Sequence, residues 1–183
     1  MSLRRRGNTI HRFSPDHSNT TSRILRTAEE LSLVRDEVIL VGSAALALYG
    51  VYLAADPLRP TSRTPRPGDA DFVSTLGYAQ HLAQEGTPTG LVGRRKPNVS
   101  GPPILQIATR ELSADIIPHN PHASDRMDQQ FRERIDRESV EVDGSNLRVA
   151  TPQKLAQELR GRARVDRKAA SDLNALRQHF TDL

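Results

Sequence analysis

Between Glu37 and Ala55 the chain changes its hydrophobic period at a single point. Glu37 to Val41, EVILV, is a short β-branched run that is apolar on both alternating faces, the pattern of a buried strand. Ser43 to Ala55, SAALALYGVYLAA, is rich in Ala and Leu and reads as a buried helix. Only Gly42 separates the two, so the unit is strand, tight Gly-Ser turn, helix. Such a unit can bury its apolar surface only in a layered α/β arrangement. The chain has 183 residues, enough for one ordinary domain with a real core.

The rest of the chain can be read around this unit. Residues 1–18 are polar and basic with little periodicity and read as an arm. From Asn19 to Arg35, Ile24, Leu25, Ala28, Leu31 and Val34 recur at helical spacing, with Asn19, Thr20 or Thr21 as the cap. Asp56 to Gly68 holds four prolines and reads as an exposed loop. Asp69 to Ser74 alternates as a strand, and Thr75 to Glu85 reads as a helix ended by Gly86. A short strand is expected at Leu91 to Val92. Pro103 to Arg110 and Leu112 to Pro118 read as two paired strands.

A charged stretch with Met127, Phe131 and Ile135 at helical spacing comes next. It is followed by two short runs joined by Asp143-Gly144, a hairpin signal. Thr151-Pro152 opens the first of two amphipathic helices that reach the C-terminus. The expected fold is α/β (α+β), a mixed sheet with flanking helices and a C-terminal helical tail. Its divisions are a basic arm at 1–18, a core at 19–150 and a helical segment at 151–183.

Composition narrows the function classes. There is no cysteine, which rules out disulfides and thiolate metal sites and fits a reducing compartment. No apolar run has the length of a membrane span, since Val38 to Ala55 is broken by Gly42, Ser43, Gly50 and two tyrosines. Arginines near the N-terminus are not followed by an apolar core, so no secretory leader is read. The expected location is the cytoplasm, with no membrane partner. The net charge is +4, and basic residues cluster at 4–26 and 154–168. Such clusters suit an anionic partner, or simply a solvated face.

Chemistry-bearing residues stand out at three places. Asp69 and Asp71 are two apart in a strand, so their carboxylates share a face. Asp115 lies within the apolar run SADIIP, where a buried carboxylate needs a pairing partner or a metal. If the two strands are neighbours, three carboxylates meet, a set suited to two divalent cations acting on a phosphate ester. The Gly42-Ser43 turn offers a close backbone approach, a hydroxyl and a helix N-terminus to an anion. Taken singly, each feature has a plain structural reading as well: a polar strand face, an edge aspartate, a capped helix. Arg63 and Arg66 precede the Asp69 strand and suit phosphate clamping or solvent. His119 and His122, three apart in a loop, lack a further ligand nearby and read as structural.

In this order, Val41-Gly42-Ser43, Asp69-Ala70-Asp71-Phe72 and Ala114-Asp115-Ile116 resemble the DNA polymerase β-type nucleotidyltransferase superfamily. The minimal members, of the abortive-infection and toxin–antitoxin kind, look most similar. The likeness covers roughly Glu37 to Pro118 and extends to the TP and basic helix of the tail. It implies transfer of a nucleoside monophosphate from an NTP to a hydroxyl, with release of pyrophosphate. Asp69, Asp71 and Asp115 would hold Mg²⁺ or Mn²⁺, and Gly42 and Ser43 the β- and γ-phosphates. Lys154 and Lys168 are both candidates for a phosphate-binding lysine. RNA (including a tRNA end), a protein or a small molecule could be the acceptor. Three other classes remain open: a catalytically silent binding module or toxin–antitoxin partner on the same fold, a basic nucleic-acid-binding protein, and a D-x-D glycosyltransferase. The strand–Gly-Ser–helix unit and the small size speak against the last.

Overall fold

A computed structural model describes residues 2–5, 8–12, 18–51, 69–97, 103–142 and 145–183. Helices and one mixed sheet form an α/β fold. In chain order the strands are β1 (Ser2–Arg5), β2 (Asn8–Arg12), β3 (Val38–Val41), β4 (Asp69–Ser74), β5 (Arg94–Lys96), β6 (Ile104–Ala108), β7 (Ser113–Pro118), β8 (Ser139–Val142) and β9 (Arg148–Ala150). The helices are α1 (Ser18–Leu31), α2 (Gly42–Leu48), α3 (Leu76–Glu85), α4 (Asp125–Glu138), α5 (Pro152–Arg162) and α6 (Arg167–His179). The strand order among the described residues is β2-β1-β8-β9-β3-β4-β7-β6-β5.

The central strands follow their sequence patterns. All four residues of β3 are buried. In β4, Ala70, Phe72 and Ser74 are buried, while Asp69, Asp71 and Val73 alternate onto the more open face. β3 and β4 pair antiparallel, and β4 and β7 pair parallel. β6 and β7 are antiparallel, as their short connection requires. One continuous core holds Leu40, Phe72 and Ile116 from the sheet together with Leu155, Leu159, Leu173 and Leu176 from α5 and α6. The C-terminal helices therefore share the core of the sheet.

Caps define several helix ends. Thr75 accepts from the Tyr78 N–H and Thr151 from the Lys154 N–H, each with its side-chain oxygen. Gly86 ends α3 with φ 79°. Asp128, on α4, accepts from the N–H groups of Leu76 and Gly77 and so covers the start of α3.

Several boundaries differ from the sequence reading. The N-terminal segment supplies two strands, and β1 extends the sheet by pairing with β8. α1 begins at Ser18, so Asn19, Thr20 and Thr21 lie inside it instead of capping it. It stops at Leu31 because Ser32 turns left-handed (φ 49°), and Val34 lies beyond its end, exposed. α2 ends at Leu48 and is followed by a turn through Gly50 (φ 72°). The short strand lies at Arg94–Lys96, not at Leu91 to Val92. The proline-rich loop and the Asp143-Gly144 turn fall outside the described residues, although β8 and β9 do pair antiparallel.

Candidate active site

Register brings the three aspartates together. Asp71 is the Cα partner of Asp115 in the parallel β4–β7 pair, and Asp69 lies two residues from Asp71 on the same face. Carboxylate oxygens of Asp69, Asp71 and Asp115 all lie within 4.8 Å of one another. Asp69 is exposed, Asp71 half-buried and Asp115 buried.

Asp115 is held from the β5 side. Gln106 Nε2 donates to its Oδ1 at 2.9 Å, and Lys96 Nζ lies 3.5 Å from its Oδ2. Asp71 carries the electrostatic load. Burial first, then the charges of Asp69 and Asp115, push its carboxyl up to about 6, against the opposing pull of Lys168 and Arg162. A carboxylate raised in this way is relieved by a cation placed among its neighbours.

The Gly-Ser turn sits directly beside Asp71. Val41, the last residue of β3, is the Cα partner of Asp71, so Gly42 follows at the same level. Gly42 has φ 67°, and a Cβ there would lie 2.6 Å from Asp71 Oδ2. The position therefore needs glycine for its backbone conformation and for the space the carboxylate occupies. Lys168, near the start of α6, places Nζ 3.2 Å from Ser43 Oγ. A cavity of about 240 Å³ opens here, lined by Ser43, Asp71, Glu158, Arg162, Lys168 and Asp172 over an apolar floor that includes Val73 and Leu155. Burial, ahead of its charged neighbours, raises the Glu158 carboxyl above its ordinary value.

The helix behind the turn is shorter than the expected run from Ser43 to Ala55. α2 has only seven residues, too short to carry much of a macrodipole. Around the turn the Ser43 hydroxyl stands with two cations, Arg162 of α5 and Lys168 of α6, in one cavity.

The two lysines separate clearly. Lys168 reaches the turn. Lys154 is held away by Glu138 at 2.9 Å and Glu158 at 3.8 Å, and does not line the cavity. Arg66, like Arg63, lies outside the described residues. The histidines do not form a metal site together. His119 Nε2 lies 2.9 Å from Asp128 Oδ1 and its ring stacks on Phe131, while His122 is exposed.

Sequence reasoning missed Gln106, Lys96 and the cavity roles of Glu158, Arg162 and Asp172. Gln106 had a signal, being the polar residue inside the apolar run ILQIA next to the Asp115 strand. Lys96 is one of only three lysines in an arginine-rich chain. The cavity carboxylates had no local signal, because they depend on how α5 and α6 turn toward the sheet. A larger cavity of about 620 Å³, lined by Leu76, Ala79, Arg95, Leu105, Pro118 and His122, contains none of the clustered carboxylates.

No protein-family model matches the chain, and no curated protein matches it either. The functional reading is therefore carried by the geometry of the site.

Proposed function

We propose that the protein is a metal-dependent nucleotidyltransferase that moves a nucleoside monophosphate from an NTP to a hydroxyl acceptor and releases pyrophosphate. The observation that carries this reading is the meeting of Asp69, Asp71 and Asp115 beside the Gly42-Ser43 turn. Three hard oxygen donors, one of which, Asp71, has a raised pKa and also lies against Gly42, suit Mg²⁺ or Mn²⁺. When bound, such cations neutralise charge on the triphosphate and on the reacting phosphorus.

The chain's own residues would do the rest. Ser43 and Lys168 bind the terminal phosphates, with Arg162 adding charge at the cavity wall. A cavity of about 240 Å³ is smaller than the ~300–1,000 Å³ of clefts that enclose a drug-sized ligand, so a nucleotide would fill it and extend along the carboxylates. The acceptor oxygen attacks the α-phosphorus while the bond to pyrophosphate breaks, and its proton passes to Asp115 Oδ2, the oxygen with the longer contact, 3.5 Å to Lys96 Nζ. Positioning and charge neutralisation account for the catalysis.

Incubation with each α-labelled NTP and Mg²⁺ or Mn²⁺, alone and with total RNA, tests this. The expected result is label transfer with stoichiometric pyrophosphate, abolished in Asp69→Asn/Asp71→Asn. Metal-dependent NTP binding without pyrophosphate release would point to a silent relative of the fold. Absence of NTP binding would remove the reading altogether.

A further inference from the structure

Four adjacent strands carry a single row of side chains through the acidic centre. Asp71 on β4 partners Asp115 on β7, Asp115 partners Gln106 on β6, and Gln106 partners Arg94 on β5. Cross-strand partners share a sheet face, and so does Lys96, two residues beyond Arg94. Lys96 reaches Asp115 directly. Arg95 alternates to the other face, where it partners Leu105 and lines the larger cavity.

The row is polarised. On the β3 side of the carboxylates stand Ser43, Lys168 and Arg162. On the β5 side stand Arg94 and Lys96. Among the described residues β5 ends the sheet, its three residues are all cationic, and all are exposed. Among the described residues Arg94 has no ion-pair partner. Lys96 is drawn to Asp115 but stays half-exposed, Arg94 has no such partner, and a neutral small acceptor gives neither a reason to stand opposite the triphosphate end. The two cations suit an acceptor that is itself anionic along its length.

We propose that β5 docks the phosphodiester backbone of a nucleic-acid acceptor, with Arg94 and Lys96 taking neighbouring phosphates and bringing the strand's terminal hydroxyl toward Asp115. The proposal rests on the nucleotidyltransferase reading and adds the acceptor class. Residues two apart in a strand are separated by about 6.6 Å, a spacing that suits neighbouring phosphates in an extended single strand. β5 and β6 carry no aromatic residue, so these two strands offer no stacking platform and recognition along them is led by the backbone with little base preference. Edge strands also carry charge merely to block pairing with other chains. That simpler role predicts no difference between the two faces of β5.

Fluorescence anisotropy with labelled single-stranded RNA and DNA over a series of salt concentrations decides the matter. Wild-type protein should bind at low salt. Arg94→Gln/Lys96→Gln should weaken binding roughly fivefold or more and flatten the log–log salt slope by about 1.4, two phosphates at about 0.7 each. Arg95→Gln, which removes one charge of the same strand from the other face, should keep most of the affinity. The tighter of the RNA and DNA arms identifies the acceptor. No oligonucleotide binding at low salt, an unchanged double variant, equal loss in Arg95→Gln, or equal affinity for a labelled polyglutamate would each overturn the proposal. Wild-type binding of NTP with Mg²⁺, measured in parallel, keeps the two readings apart. If NTP binding fails while the oligonucleotide results hold, the transferase reading falls and the docking strand stands. If NTP binds and the double variant is unaltered, only the docking strand falls.

Discussion

Replacing Asp71 by Asn should stabilise the metal-free protein at neutral pH, by an amount that grows with pH. Asp71 is half-buried beside two other carboxylates, and its carboxyl is raised to about 6. In the unfolded chain the same group titrates near its ordinary value of about 3.9. Between these values the native state holds the proton longer than the unfolded state, so folding stability from this group falls as pH rises, then stays level above about 6. Roughly two pH units at ~1.4 kcal/mol each give an upper figure of about 3 kcal/mol, which solvent screening of a partly exposed group reduces to about 1–2 kcal/mol. Asn keeps the size of the side chain and removes the charge. Urea unfolding in a chelator should therefore give nearly equal stabilities for wild type and Asp71→Asn near pH 4, and a variant more stable by about 1–2 kcal/mol near pH 7. With Mg²⁺ and NTP at about a hundredfold over Kd, wild type should gain about 2.7 kcal/mol by linkage while the variant does not. A variant no more stable than wild type at pH 7, or a difference that does not change with pH, would refute the clustering of charge on which the reasoning depends.

Further substitutions read other parts of the site. Gly42→Ala should cost about 1–2 kcal/mol from its left-handed backbone alone and should also weaken NTP binding, because the new Cβ would meet Asp71 Oδ2 at 2.6 Å; thermal melts with and without ligand measure both. Lys168→Ala should weaken NTP binding by about 10- to 100-fold, the loss of one charge-assisted phosphate contact. Lys154→Ala, whose partners are Glu138 and Glu158, should leave NTP affinity unchanged and lower stability by about 1 kcal/mol or less; a calorimetric titration separates the two lysines. Asp128→Asn should cost about 1–3 kcal/mol at pH 7 by weakening the cover on α3. Burial opposes ionisation of Asp128, but the N–H groups of Gly77 and Leu76 and the His119 ring outweigh it and hold the carboxyl below its ordinary value. The cost should therefore shrink as pH falls through the carboxylate range, which denaturant unfolding near pH 3 and pH 7 will read.

Local patterns made much of the architecture legible. β4 announces itself by alternation, α3 by Thr75 and Gly86 at its two ends, and α5 by Thr151-Pro152. Each of these signals is contained within one element. The misplaced boundaries share a different cause. Strand β5 forms where β6 offers backbone partners, at Arg94–Lys96, and not where the apolar residues Leu91 and Val92 suggested it. Val92 stays exposed, and Gly93 sits so close to Leu105 that a Cβ there would lie 2.4 Å from Leu105 Cδ1. α1 stops short of Val34 because Ser32 reverses the backbone and the Val34 N–H bonds to Tyr78 Oη on another helix.

The same division runs through the candidate site. The sequence by itself determined the residue types: two aspartates on one strand face, a third within an apolar strand, and a small-residue turn after a buried strand. Alternation along a strand is a two-residue matter, so Asp69 and Asp71 had to share a side wherever β4 went. Only the tertiary structure decided that Asp71 stands opposite Asp115, that Gly42 lies against Asp71, and that Lys168 rather than Lys154 meets Ser43. Strand register and helix facing are set by contacts between residues far apart in the chain, through burial of Phe72, Ile116, Leu155 and Leu173 in one core. No local run of residues encodes those contacts, because their free energy exists only once the distant elements have packed together.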